Sequence, residues 1–283
     1  MSVAQVVAPT PTVPREGMRA AVHDAVVIMK RNLRRYQRQP QIAVFVFIQP
    51  IMFVLLFRYV FGGSIQIPNL EYVQYLVPGI IVQSVTFSTI GTAIGIAEDL
   101  KNGIIDRFRS LPMAHASVLA GRILSDTIVS ILSLFVMLAV GYLVGFRIST
   151  SIVEALAAFA VIVTFTFSFA WIAAWIGLTL EEPEAVQSAG FVWLFPVAFA
   201  SSVFVVPATL PGWLVPFATQ NPLSRVSDTV RALSIGGYPC GTSPETITFC
   251  TGVGSNLLYV ALWCVGIVVV FLPLSARGWR RLD

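Results

Sequence analysis

Along the chain, long apolar runs alternate with short polar connections. Five runs stand out and punctuation sets a sixth apart: residues 42–61, 76–97, 123–146, 152–178, 186–206 and 257–273. A bilayer's hydrocarbon core needs about 20 mostly apolar residues per helix, so each run is predicted as a membrane-spanning helix. Glu181-Glu182-Pro183-Glu184 divides the fourth from the fifth. It is too acidic for hydrocarbon and too short for a domain, which predicts a tight turn at the membrane surface.

Two further segments are amphipathic. Over 19–40, Val22, Val26, Met29, Leu33 and Tyr36 form an apolar stripe, with Lys30, Arg31, Arg34, Arg35 and Arg38 largely off it. That pattern suits a cytoplasmic interface helix lying on anionic lipid. Residues 1–18, polar and rich in Pro and Thr at their start, are expected to be a disordered tail without the apolar core of a signal peptide. In the connection 207–255, Leu223, Val226, Val230 and Leu233 recur at three- and four-residue steps, and Gly236-Gly237 follows. A short interfacial helix is predicted there, its Arg and Asp turned away from the apolar stripe. With the proline-broken segment 210–217 before it, it would form a re-entrant helical pair sheltered by the spans.

Composition agrees. Of 283 residues, 56% are hydrophobic and only 11% charged, with a mean hydropathy of +0.81. Soluble domains carry roughly 25% charge, so an ordinary soluble enzyme is excluded. Fourteen of the eighteen Lys and Arg precede the first run, follow the second or end the chain. Basic residues favour the cytoplasmic side, which predicts six spans with both termini there. The expected fold is an all-α integral membrane protein whose transmembrane domain covers 41–283.

The chemistry an energy-using transporter would need is missing. The two lysines stand in Lys30-Arg31 and Lys101-Asn102, so neither completes a phosphate-cradling G-x-x-x-x-G-K-[ST] loop. Any ATP and Mg would be bound by another polypeptide, leaving this chain with no cofactor and no enzymatic activity of its own. His23 and His115 are the two histidines, and no Cys/His cluster suggests a metal site. Cys240 and Cys250 are disulfide candidates if they face outside, where such bonds persist.

The connection 98–117 is the most informative stretch. It mixes Glu98, Asp99, Lys101, Asp106, Arg107 and Arg109 with Ile104, Ile105, Phe108 and Leu111, and Pro112 closes it. One reading anchors these apolar residues in lipid headgroups. The other is a short helix pushed into a partner's groove, with Phe108 and Leu111 as anchors. Arg122 and Asp126, four apart, can pair at the membrane boundary. The second run is dense in Ser, Thr and Gln, and Gly91-x-x-x-Gly95 and Gly141-x-x-x-Gly145 suggest close helix packing. Gln49-Pro50 interrupts the first run, and aromatic and small residues of the fifth, Phe199 among them, face either lipid or a path.

The block from Asp99 to Met113, Gly121-Arg122 and Asp126 resembles the cytoplasmic signature of type-2 ABC exporter permeases. That group includes the daunorubicin-resistance and O-antigen-export types. Asn221-Pro222-Leu223, Arg231-Ala232-Leu233 and Gly236-Gly237 look like its outer-loop pattern, and the likeness spans about residues 20–280. The resemblance implies a permease subunit paired with a second permease chain, identical or different, and with two copies of a separate ABC ATPase. It implies ATPase coupling through Glu98, Asp99, Gly103, Arg107, Phe108, Arg109, Leu111 and Pro112. Gln49 and Phe199 become candidates for the translocation path. The expected cargo is a lipid, glycolipid, polyketide or hydrophobic drug leaving across the cytoplasmic (inner) membrane. The alternative is an ion- or proton-coupled carrier that works without an ATPase and depends on Asp126 or Glu154.

Overall fold

The computed structural model describes residues 18–38, 40–63, 67, 70–109, 115–241 and 247–281. Ten helices run through them: α1 (Met18–Arg38), α2 (Pro40–Leu56), α3 (Tyr72–Lys101), α4 (Ile104–Arg109), α5 (His115–Val144), α6 (Ile152–Leu180), α7 (Pro183–Phe199), α8 (Val215–Gln220), α9 (Pro222–Ile235) and α10 (Gly254–Arg281). Helices α3, α5, α6 and α10 are each long and apolar enough to cross a membrane. Helix α2 has 17 residues and continues into a π-helical turn over Phe57–Phe61, while α7 has 17. Of the expected tail, residues 1–18, Met18 is the first residue of α1 and residues 1–17 lie outside the described residues.

Helix α3 is the axis. It packs against α5, α6, α7 and α9 and is buried over most of its length. Its many hydroxyls are compatible with that because they bond to their own helix. Ser84 donates to the Ile80 carbonyl at 2.6 Å, Thr86 to Val82 at 2.7 Å and Thr89 to Thr86 at 2.6 Å. Such back-bonding lets a polar sequence pack on all sides without unsatisfied donors. Only part of the glycine pattern serves packing. A Cβ at Gly177 of α6 would strike the Ala93 backbone of α3, and one at Gly141 would strike Val77. Gly91, by contrast, is uncovered with nothing near, and Gly145 adopts φ +110° at the end of α5, so neither is a packing contact.

The structure adds the packed face of α1, corrects two sequence expectations and brings one new element. In α1 the face packed on α5 is Ala25, Ile28 and Asn32, because Gly121 of α5 admits the Ala25 carbonyl and Ile28. Of the predicted stripe, Val22 is 58% exposed and Val26, Met29 and Leu33 are half-buried beside that face. The fifth run does not remain helical to 206: α7 stops at Phe199, and residues 201–204 are buried irregular backbone. Helix α9 does not lie on a surface with its charges outward, since Arg231 is fully buried. Beyond α9, an unforeseen antiparallel hairpin pairs β1 (Tyr238–Cys240) with β2 (Thr248–Cys250).

Gly177→Val should force α3 and α6 apart and cost about 1–3 kcal/mol, the usual penalty of overpacking. A thermal unfolding scan in detergent should show a lower midpoint than wild type; an unchanged midpoint would refute this contact.

Candidate functional site: two polar sockets and a cleft along α3

Polar groups converge at both ends of α3. At its C-terminal end Arg122 of α5 reaches Asp126 through Nε at 3.2 Å and Asp99 of α3 through Nη1 at 3.3 Å. Arg31 of α1 lies 3.8 Å from the same Asp99 oxygen. The cluster exists because Gly95 has no side chain: a Cβ there would overlap the Arg122 guanidinium. Three helices are thereby joined through a carboxylate. An apolar layer of Ile28, Ile96, Ile105, Ile123, Leu178 and Trp279 surrounds it, bringing the last turn of α10 to the same end.

Here α3 gives way to the short helix α4. Asn102 donates to the Glu98 carbonyl at 3.0 Å, and Gly103 takes φ +64°. That left-handed conformation favours glycine and allows the chain to turn immediately into α4. Of the residues expected to couple, Glu98 and Asp99 lie in the last turn of α3, Gly103 at the break and Arg107 in α4. Leu111 and Pro112 lie outside the described residues, as do the side chains of Phe108 and Arg109. Lys101 pairs with Glu182 in the α6–α7 connection at 2.6 Å, but both are well exposed, so this pair contributes little to stability.

The opposite end of α3 carries the socket that sequence reasoning missed. Arg231 has no exposed surface, and all five of its N–H groups are engaged. Nε donates to the Tyr75 carbonyl at 2.8 Å. Nη1 donates to Asp228 Oδ1 at 2.8 Å and to Ser202 Oγ at 3.2 Å. Nη2 donates to the carbonyls of Ser202 at 2.8 Å and Val203 at 3.0 Å. The guanidinium also lies 3.6 Å from the centre of the Tyr75 ring, a close cation–π contact. Gly79 leaves the space, since a Cβ would meet both the Val203 carbonyl and Arg231. Burial pushes the Asp228 carboxyl above its ordinary range, while the Arg231 charge and the Ser202 hydroxyl pull it back.

Asn221 closes the other side. Its Oδ1 accepts from the Leu223 N–H at 2.9 Å, capping α9, and its Nδ2 donates to the carbonyls of Val197 at 2.6 Å and Ala200 at 3.3 Å. Pro222 follows at the first helical position, where a missing N–H is harmless. Gly236 ends the helix with φ +84°. The pattern N-P-L…R-A-L…G-G is thus a cap, a buried cation and a stop, which together hold the broken end of α7. The signal was available: an Arg three residues after an Asp, in a segment rich in Ser and Thr, can be a satisfied interior network as readily as a wetted face.

Arg225 bonds Asn256 of α10 at 2.8 Å, and Asn256 donates to the Tyr238 hydroxyl at 2.7 Å. Cys240 and Cys250 form a disulfide across the hairpin, their Cα atoms 5.9 Å apart. Glu154 caps α6 in a reciprocal box with Ser151.

Between the sockets, α2, α3, α5 and α7 border a partly open cleft of about 160 Å³. Gln49 lines it, while Phe199 does not. Phe199 belongs instead to an aromatic ladder, stacked on Phe195 at 5.6 Å and Phe204 at 5.1 Å, and Phe204 stacks on Phe57 at 4.3 Å.

The fold is helical, with four helices long and apolar enough to cross a membrane and ion pairs at both ends of α3. Residues 24–234 match the ABC-2 type transporter family, and the chain belongs to it. It is 31% identical to the daunorubicin resistance ABC transporter permease protein DrrB1 of Streptomyces coeruleorubidus, covering 94% of this chain and 89% of that one. It is 25% identical to the probable doxorubicin resistance ABC transporter permease protein DrrC of Mycobacterium tuberculosis, covering 93% and 90%. The putative transport permease ycf38 of Cyanophora paradoxa is also 25% identical, over 75% and 74%. The protein is therefore a multi-pass membrane subunit of an ABC exporter.

Arg231→Ala should cost about 3–5 kcal/mol, because Asp228 and three carbonyls lose their partner inside the protein. Arg231→Lys, keeping the charge but not the fork of donors, should fall between. Detergent unfolding midpoints ordered wild type, Lys, Ala are expected, and equal midpoints would contradict the socket.

Proposed function

We propose that this permease works as one of two membrane chains, identical or different, driven by two copies of a separate ABC ATPase that binds ATP and Mg. Six spans carry it across the cytoplasmic membrane: α2 with its π-turn, α3, α5, α6, α7 and α10. Both termini are cytoplasmic, α1 lies along the inner surface, and α8 and α9 form the re-entrant pair on the outside. The positions of Lys and Arg support this orientation.

The observation that carries the reading is the junction of α3 and α4. A short helix is set on the end of the most buried helix by a left-handed glycine, and Asp99 beside it is tied to α5 and α1. Force applied to α4 by an ATPase therefore reaches three helices at once. Glu98, Asp99, Gly103, Arg107, Phe108, Arg109, Leu111 and Pro112 are the coupling residues, with Phe108 and Leu111 as the anchors in the ATPase groove. ATP binding must favour one packing of the helices over another by the difference in docking energy between them.

The cargo is a hydrophobic drug, polyketide, lipid or glycolipid; the drug-resistance names of the relatives favour the first two. A carrier driven by protons finds little support, since Glu154 is occupied as a helix cap and Asp126 is bonded to Arg122.

Replacing Phe108 and Leu111 together by Ala should leave the chain in the membrane but reduce co-purification of the ATPase at least severalfold. Undiminished co-purification would remove the docking role.

A further inference from the structure

Helix α10 leaves much of its apolar surface bare, with Leu262 64% and Val269 65% exposed. One face of it is also hollow. Tyr259, Trp263, Gly266 and Val270 recur at three- and four-residue steps and line an apolar groove of about 370 Å³. Gly266 makes the hollow: a Cβ there would meet nothing within 4 Å, so no close packing requires a glycine in the middle of this helix. From Tyr259 to Val270 the groove runs about 16 Å, close to the depth of hydrocarbon in one leaflet, about 15 Å.

A cation stands at the head of this groove. Arg225 of α9 is half-buried, its guanidinium 5.1 Å from the centre of the Tyr259 ring. Unlike Arg231 and Arg122 it has no carboxylate partner; Asp228, the one acid of α9, is bonded to Arg231. Its side-chain partners are neutral amides, Asn256 on Nη1 at 2.8 Å and Gln220 on Nη2 at 3.4 Å, and its buried Nε bonds to nothing. The first turn of α9 carries no acid, so the helix dipole adds positive potential where Arg225 stands. A half-buried cation without a counter-charge is costly, and an anion that brings its own apolar chain removes that cost.

We propose that Arg225 and the groove of α10 form a site for one membrane phospholipid, drawn from the leaflet that holds the N-terminal half of α10. Its phosphodiester accepts from the free Nη hydrogens of Arg225, and one acyl chain lies along Tyr259, Trp263 and Val270, over Gly266. The lipid is a fixed component of the fold rather than cargo, closing the seam between α9 and α10. This holds whichever side of the membrane that leaflet faces, and it does not depend on what is exported.

The test uses the full-length permease in uncharged maltoside micelles and a phosphatidylglycerol carrying a diazirine in mid-chain, with labelled peptides mapped by mass spectrometry. Labelling of residues 257–271 should saturate. Diacylglycerol with the same chains should compete about tenfold less well than unlabelled phosphatidylglycerol, the effect of losing a charge-assisted hydrogen bond. Gly266→Leu fills the groove and should reduce that labelling severalfold. Its thermal midpoint without added lipid should equal or exceed that of wild type, because Leu is the better helix former. Arg225→Gln should bring phosphatidylglycerol down to the level of diacylglycerol; if that variant proves unstable, the contrast between the two lipids on wild type decides the role of the phosphate. The site is refuted if labelling does not saturate, if the two lipids compete equally, or if Gly266→Leu is labelled within twofold of wild type. A second copy of the chain covering the groove would also refute it, and would show as a Leu262→Cys crosslinked dimer with the probe excluded from 257–271.

Discussion

A guanidinium buried where water cannot reach it must find every partner inside the chain, and Arg231 does. Its five N–H groups reach α3, the irregular segment after α7 and its own helix. Carbonyls freed where α7 ends would otherwise lie unsatisfied in a low-dielectric interior. The break at Phe199 is therefore tolerable only because α9 delivers a cation and Asn221 to it. In turn α9 can be buried only because those carbonyls receive its charge.

The second socket obeys the same rule with different parts. Arg122 is shared between two carboxylates, and Gly95 gives up its side chain to make room. The Tyr75 carbonyl and Asp99 lie 24 positions apart on α3, about 36 Å at 1.5 Å per residue. One long helix thus connects a socket beside α4 to a socket beside α9. Since packed interiors transmit displacement rather than absorbing it, α3 is the element through which the proposed coupling would pass from one socket to the other.

Much of this was legible in the sequence, for identifiable reasons. The four long apolar helices are visible because hydrocarbon demands long apolar runs, and the Arg122–Asp126 pair because residues four apart share one face of a helix. The family motifs were recognisable, and the structure supplies their physics: Gly103 and Gly236 need positive φ, and Asn221 caps. What the sequence hid was direction. In α9 the period of the apolar residues is real, but the polar face is buried as well, because neighbouring elements bring it acceptors that no local pattern records. In α1 the packed face is chosen by Gly121, which is far away in sequence. The hairpin of β1 and β2 is three residues per strand, too short to show a period.

Native-state hydrogen exchange of the wild-type protein in nanodiscs most directly tests whether α3 behaves as one unit pinned at both ends. Amides over 76–88 and over 89–100 should exchange at matching rates, slower than those of α5 and α10. Exchange in 89–100 that is much faster than in 76–88 would mean the two sockets open independently, and the account of α3 as a rigid link would fail.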